Sequence, residues 1–238
     1  MTTTRSMLVI SAHAADFVWR AGGAVALAAS HGERVKVLCL TYGERGESAS
    51  AWRAGQTLEE IKALRRGEAE NAAAELGAEI EFLDAGDYPL RESDELTDRI
   101  VGVYREVNPS VVLTHPLADP YNGDHPAAAR MALQARVLAQ AIGYPAAGEP
   151  IGAPPVFLFE PHQPEMCNFK PQVILNIDEV WDIKRKTFEI LAAQKHLWAY
   201  FERVALQRGM QGGRNSGKAM TYGEAYQRLF PMAMEELV

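Results

Sequence analysis

The sequence predicts an α/β protein whose core is a doubly wound, Rossmann-like, mainly parallel sheet with helices on both faces. Two observations predict it. Short apolar runs alternate with long segments of helical periodicity, the pattern of βαβα units. The first two helical segments also stop at His31-Gly32 and Leu76-Gly77, residue pairs suited to a helix C-cap. In chain order, the run 7–11 is the first strand and 18–31 the first helix. Strand 35–41 and helix 58–76 follow, then strand 80–83 and helix 94–107, then strand 111–114 and helix 126–141. Beyond a Pro/Gly-rich connection at 143–155, the runs 156–160 and 172–177 read as two more strands, and 179–207 as a helix. The glycine-rich segment 209–217 reads as a mobile loop over the site, from the same chain or from a neighbouring copy in a homo-oligomer. No repeat or low-complexity tract divides residues 1–238, which read as one domain.

Composition narrows the partners. The net charge is −7, and the 24 Lys and Arg are scattered instead of forming a block, so neither nucleic acid nor an anionic membrane is expected to bind. A small-molecule substrate is favoured. Two cysteines, Cys39 and Cys167, match no metal spacing and are too few for a disulfide framework, which points to a reducing cytoplasm. The run 7–11 is too short for the core of a signal peptide, and no apolar stretch reaches membrane-spanning length.

In a sheet of this class, ligands bind outside the carboxyl ends of the strands. His13 and Asp16 follow the first strand, Glu44 and Glu47 the second, and Asp84 and Asp87 the third. His115, Asp119 and His125 follow the fourth, and Glu160 and His162 the fifth, so that four of the six histidines fall at strand ends. A lone histidine is ordinarily structural, as we read His31 and His196. Two imidazoles and a carboxylate from His13, Asp16 and His125, however, are the ligand set of an open catalytic zinc site.

The stretch Ala12-His13-Ala14-Ala15-Asp16-Phe17 followed by Gly22-Gly23 resembles the opening motif of the LmbE/PIG-L family, Ala-His-Pro-Asp-Asp-Glu with a Gly-Gly pair in the next helix. The similarity continues through Thr41-Tyr42-Gly43-Glu44-Arg45-Gly46-Glu47, Arg65 with Glu68, Asp124-His125, and Tyr222-Gly223-Glu224-Ala225-Tyr226. Most members are zinc-dependent N-deacetylases of amino-sugar derivatives, and the resemblance implies Zn2+ bound by His13, Asp16 and His125. The departures carry as much information. The family's general base, the first aspartate of the motif, is here Ala15, and an alanine accepts no proton; loss of a general base typically costs about 100- to 10,000-fold. The neighbouring proline and glutamate are replaced by Ala14 and Phe17.

A subgroup lacking that aspartate consists of zinc-dependent hydratases that add water to the conjugated double bond of 4-oxalomesaconate, a polycarboxylate. Gly43-Glu44-Arg45-Gly46-Glu47-Ser48 and Phe159-Glu160-Pro161-His162 resemble it, which implies catalytic roles for Glu47 and His162. The chemistry agrees, because hydration needs an activated water, a proton donor to carbon and an electrophile for the developing enolate. On the same resemblance Arg65 and Glu44 are candidate substrate contacts. Asn168 and Lys170 are offered as further contacts to an acidic substrate. Each has an ordinary reading as well: acids in a turn, an intrahelical ion pair for Arg65 with Glu68, and exposed loop positions. His115 and Asp119 are candidates to orient a ligand imidazole. The rival functions are a zinc N-deacetylase with a relocated base and a non-catalytic metal-binding module.

Overall fold

A computed structural model describes residues 5–233. Its sheet, in the order β3-β2-β1-β4-β5-β7-β6, is built from β1 (Ser6–Ser11), β2 (Arg34–Cys39), β3 (Glu79–Phe82), β4 (Val111–Thr114), β5 (Val156–Phe159), β6 (Val173–Asn176) and β7 (Gly223–Arg228). The first five strands pair in parallel, and β7 lies antiparallel between β5 and β6. The chain leaves β1 toward β2 and β3, then returns to β4 on the other side. The topological switch therefore falls between β1 and β4.

Alternation along β1 shows why both faces are covered. Leu8 and Ile10 pack into one buried layer with α4 (Asp94–Val107) and α5 (Asp124–Gln140), whereas Met7 and Val9 point into the other. That second layer contains α1 (Asp16–Ser30), α3 (Leu58–Leu76), α6 (Trp181–Ile190) and α7 (Trp198–Ser216). A short α2 (Ala49–Arg53) precedes α3. Local signals set the ends of α3: Thr57 and Glu60 form a reciprocal capping box, contributing about 1 kcal/mol, and Gly77 closes the helix at φ 76°. Gly32, past the end of α1, has φ 75°.

The predicted strands and the first four helices appear with ends shifted by a few residues. Three features differ. The segment 179–207 is not one helix: α6 ends at Ile190, and a 3-10 stretch Ala192–Leu197, with Gln194 at non-helical φ −119°, ψ 32°, precedes α7. The glycine-rich segment expected to form a mobile loop is the end of α7. Its glycines serve close packing, since a Cβ at Gly209 would come 2.0 Å from the Thr221 carbonyl oxygen and one at Gly212 2.4 Å from Met220 Sδ. Composition alone does not separate the two uses of glycine.

The third difference is β7, which the sequence reading did not assign as a strand. Glu224 ties it to the rest of the molecule. Its carboxylate accepts from the Gly23 and Ala24 N–H groups at 2.6 and 2.8 Å, from Lys184 Nζ at 2.6 Å and from the Tyr226 hydroxyl at 2.6 Å. A Cβ at Gly23 would lie 2.6 Å from Ile177 Cγ2 and 2.9 Å from that carboxylate, so the helix needs glycine there. One buried anion thus clamps α1, α6 and β7 together.

Candidate metal centre and active site

The loop after β1 and the start of α5 meet at the switch point, and His13, Asp16 and His125 each bring a ligand atom within 4.8 Å of the others. All three are buried. A carboxylate backs each imidazole. Asp119 Oδ2 takes the Nδ1 hydrogen of His125 at 2.8 Å, leaving Nε2 as a lone pair aimed toward Asp16 Oδ1, 3.6 Å away. That Nε2 is a buried polar atom with no hydrogen-bond partner among the described residues. Asp124 Oδ2 lies 3.2 Å from His13 Nε2 and is itself fixed by the Tyr88 and Leu90 N–H groups, both at 2.9 Å.

With Nε2–H committed to Asp124, His13 turns Nδ1 toward Asp16 Oδ2 at 3.1 Å and Glu47 Oε1 at 3.4 Å. A bare lone pair facing two carboxylates is repulsive, so a positive charge belongs at that point, either a proton or a metal ion. Burial alone would lower the His13 pKa, but Glu47 and the hydrogen bonds that its ring donates to Asp124 and Asp16 overcome it and raise it well above the ordinary value. Burial would raise the Asp16 carboxyl, yet it is held well below the ordinary carboxylate value, and the charged partner that faces it is the His13 imidazole, 3.1 Å away. The donor set, the two backing carboxylates and the orphaned nitrogen fit a divalent metal.

Of the two residues suggested as orienting groups, Asp119 has that role and His115 does not. His115 Nε2 accepts the Ala12 N–H at 2.9 Å, so it has no hydrogen for Asp16 Oδ2 at 3.4 Å. Its ring instead stacks 4.2 Å beneath His125, and burial with His125 beside it pushes its pKa down to about 3. Asp124 was quoted in the sequence only as part of a motif. Its position one residue before the candidate ligand His125 was the available signal.

A cavity of about 230 Å³ opens on the triad, lined among others by Asp16, Arg20, Glu47, His125, His162 and Gln194. Glu47 is carried by a loop whose shape follows from two glycines. Gly43 has φ 69°, and a Cβ at Gly46 would stand 2.1 Å from the Tyr88 ring. Asp87 holds the loop by accepting from the Arg45 and Gly46 N–H groups. Burial raises the Glu47 pKa, opposed by His13. Across the cavity His162, exposed at the mouth, stacks on Tyr200 with ring centroids 4.1 Å apart. Burial of part of the ring, and Arg20, lower its pKa.

The four proposed substrate contacts do not line this cavity. Arg65 is fully buried behind Glu47, with Nη1 on Glu68 at 2.6 Å and Nη2 shared between Glu47 at 3.5 Å and Gln194 at 3.3 Å. It holds pocket residues from behind, where a substrate carboxylate does not reach. Glu44, also fully buried, turns back to accept from the Tyr42 and Asp87 N–H groups. Asn168 ends a 3-10 turn at φ 53°, and Lys170 donates its N–H to Gln227; both residues are exposed. The cation that does line the cavity is Arg20, missed because it reads as one residue of a helix; its Nε donates to Asp16 Oδ1 at 3.2 Å and Nη1 to the Glu160 carbonyl at 2.8 Å.

Comparison with known proteins agrees with this layout. The chain is 51% identical over 241 residues, covering 99% of itself and 93% of the relative, to a protein of Pseudomonas putida KT2440 named 4-oxalmesaconate hydratase. The crystal structure of GalB, the 4-carboxy-2-hydroxymuconate hydratase of Pseudomonas putida KT2440, superposes with a TM-score of 0.96 at 51% identity, covering 99% of this chain and all of that one. The N,N'-diacetylchitobiose deacetylase of Pyrococcus horikoshii shares the fold, with a TM-score of 0.79 at 22% identity over 94% of this chain and 84% of that one. The profile of the PIG-L family, described as GlcNAc-PI de-N-acetylase, matches residues 8–136. With that match and a half-identical relative along nearly its whole length, this chain belongs to the PIG-L (LmbE) family.

Proposed function

We propose that this protein is a zinc-dependent hydro-lyase that adds water to 4-oxalomesaconate, or to its enol form 4-carboxy-2-hydroxymuconate, giving 4-carboxy-4-hydroxy-2-oxoadipate. The names of the two hydratase relatives describe these two tautomers of one skeleton. The observation that carries the reading is that Glu47 and His162 line the cavity that opens on the His13/Asp16/His125 triad, while the deacetylases' base position is Ala15, packed in the core. Zinc held by the triad would supply Lewis acidity for activating water.

The residues of the chain divide the rest of the work. Glu47, a carboxylate beside His13, accepts a proton from the attacking water, and the hydroxyl bonds to the alkene carbon that bears both a carboxylate and the oxo-acid arm. His162 delivers a proton to the neighbouring carbon, so the elements of one water are added and nothing else is consumed. Burial and Arg20 keep the His162 pKa low, and a substrate with three carboxylates acts in the opposite direction. Arg20 is the one Arg or Lys lining the cavity among the described residues, and it offers a carboxylate a charged donor.

Such a substrate belongs to the degradation of aromatic acids of the gallate and protocatechuate type, a cytoplasmic process consistent with two buried free cysteines. No helix among the described residues is long and apolar enough to cross a membrane. The rival reading is a zinc N-deacetylase with Glu47 or His162 as relocated base. Incubating the purified chain with 4-oxalomesaconate and following its ultraviolet absorbance decides between them. Consumption that stops with a chelator and returns with zinc is expected. No consumption, together with acetate release from an N-acetylated amino sugar, would overturn the proposal.

A further inference from the structure

Gln194 is a buried polar side chain, 4% exposed, held in the 3-10 break between α6 and α7. It has one amide oxygen and one NH2 group, and the protein has committed the oxygen: Oε1 accepts from Trp19 Nε1 at 3.1 Å and from Arg65 Nη2 at 3.3 Å. Two donors on one arm fix which arm is oxygen. The amide nitrogen is then the arm left to face the cavity. Gln194 lines both the cavity at the triad and a second of about 470 Å³ bounded by Glu47, Arg53, Tyr88 and His196, so the residue stands between the two. The same Arg65 nitrogen reaches Glu47 Oε2 at 3.5 Å, which sets the amide and the catalytic carboxylate side by side.

We infer that Gln194 is a substrate-binding residue, its NH2 donating to a carboxylate oxygen of the polycarboxylate next to the carbon that Glu47 serves. The inference rests on the hydratase reading for the identity of that substrate. A neutral donor suits this spot, because a second cation beside Arg65 and a metal would hold Glu47 too strongly ionised to accept a proton. Arg65 acts here through Gln194 and Glu47 and is a positioning residue. Both the glutamine and the orientation of its clamp are needed: an acceptor in place of the NH2 would meet the substrate oxygen with repulsion.

The test is Gln194→Glu, which keeps an oxygen for Trp19 and Arg65 and replaces the NH2 by an acceptor. With zinc-loaded full-length protein, KM for 4-oxalomesaconate should rise at least about 10-fold, by a larger factor than kcat falls. Calorimetric binding of the unreactive tricarboxylate tricarballylate should weaken by a similar factor, with Tm little changed. Gln194→Leu, which removes the acceptor as well, should lose the same affinity and also lower Tm. Should Gln194→Glu fail to fold, Trp19→Phe, which frees one side of the clamp, should still raise KM by a smaller factor. Unchanged KM and tricarballylate affinity in a folded Gln194→Glu protein would overturn the inference, as would a parent protein that does not bind tricarballylate. A parent that binds tricarballylate but hydrates nothing would sink the hydratase reading alone, and the binding comparison would still decide the role of Gln194.

Discussion

The parallel half of the molecule, from β1 to α5, and the half beyond it, from β5 to β7, contribute to the same cavity by different means. In the first, His13, Asp16 and His125 stand within a few residues of a strand end or a helix start, all buried, with both imidazoles braced by carboxylates. The family profile ends at residue 136, inside this half. In the second, His162 and Gln194 are set by a loop and by a break between helices, and a strand that returns antiparallel completes the sheet. In the proposed reading the first half would hold the metal and supply Glu47, and the second would add His162 and Gln194 around it.

Removing a ligand tests the first half most severely. His125→Ala should abolish both bound zinc and turnover; tight stoichiometric zinc in that variant, measured by elemental analysis, would break the ligand assignment. The seam between the halves comes next. Glu224→Ala leaves Lys184 buried without its partner and should cost about 3–5 kcal/mol, a fall in Tm on the order of 10 °C. A Tm within a degree or two of the parent would show that the clamp is not what joins the halves.

The smallest expected effect concerns protons. In the metal-free protein His13 has a raised pKa and carries a proton near pH 6.5, whereas His125 has a lowered one and is already neutral. A proton on a ligand nitrogen competes with the metal, so zinc affinity should fall as pH drops below the raised His13 value. Calorimetry in buffers of different ionisation enthalpy should find about one proton released per zinc, and His13 as its source. Two would mean that His125 is also cationic, and none that the charge beside Asp16 and Glu47 is not a proton.

The parallel sheet was legible because strand and helix periods differ, and the meeting of His13, Asp16 and His125 because strand ends in such sheets gather at one edge. Resemblance and strand order pointed to Glu47 and His162, and both line the cavity. Arg65 was misjudged for a physical reason: a charged residue on a helix reads as exposed, and only packing reveals that Glu68, Glu47 and Gln194 enclose it. Asn168 and Lys170 follow His162 closely in sequence, but both are exposed and neither lines the cavity. Gln194 lay in what looked like an unbroken helix, and nothing in a pattern of side-chain types announces a break made by tertiary contacts.

The division of labour itself is tested by measuring zinc content and hydration rate together in Glu47→Gln and His162→Asn, taken one from each half. Each protein should keep one zinc per chain and its parental Tm, and lose at least about 100-fold in turnover of 4-oxalomesaconate. A variant that hydrates at nearly the parental rate, or whose loss of rate follows a loss of zinc, would contradict the account.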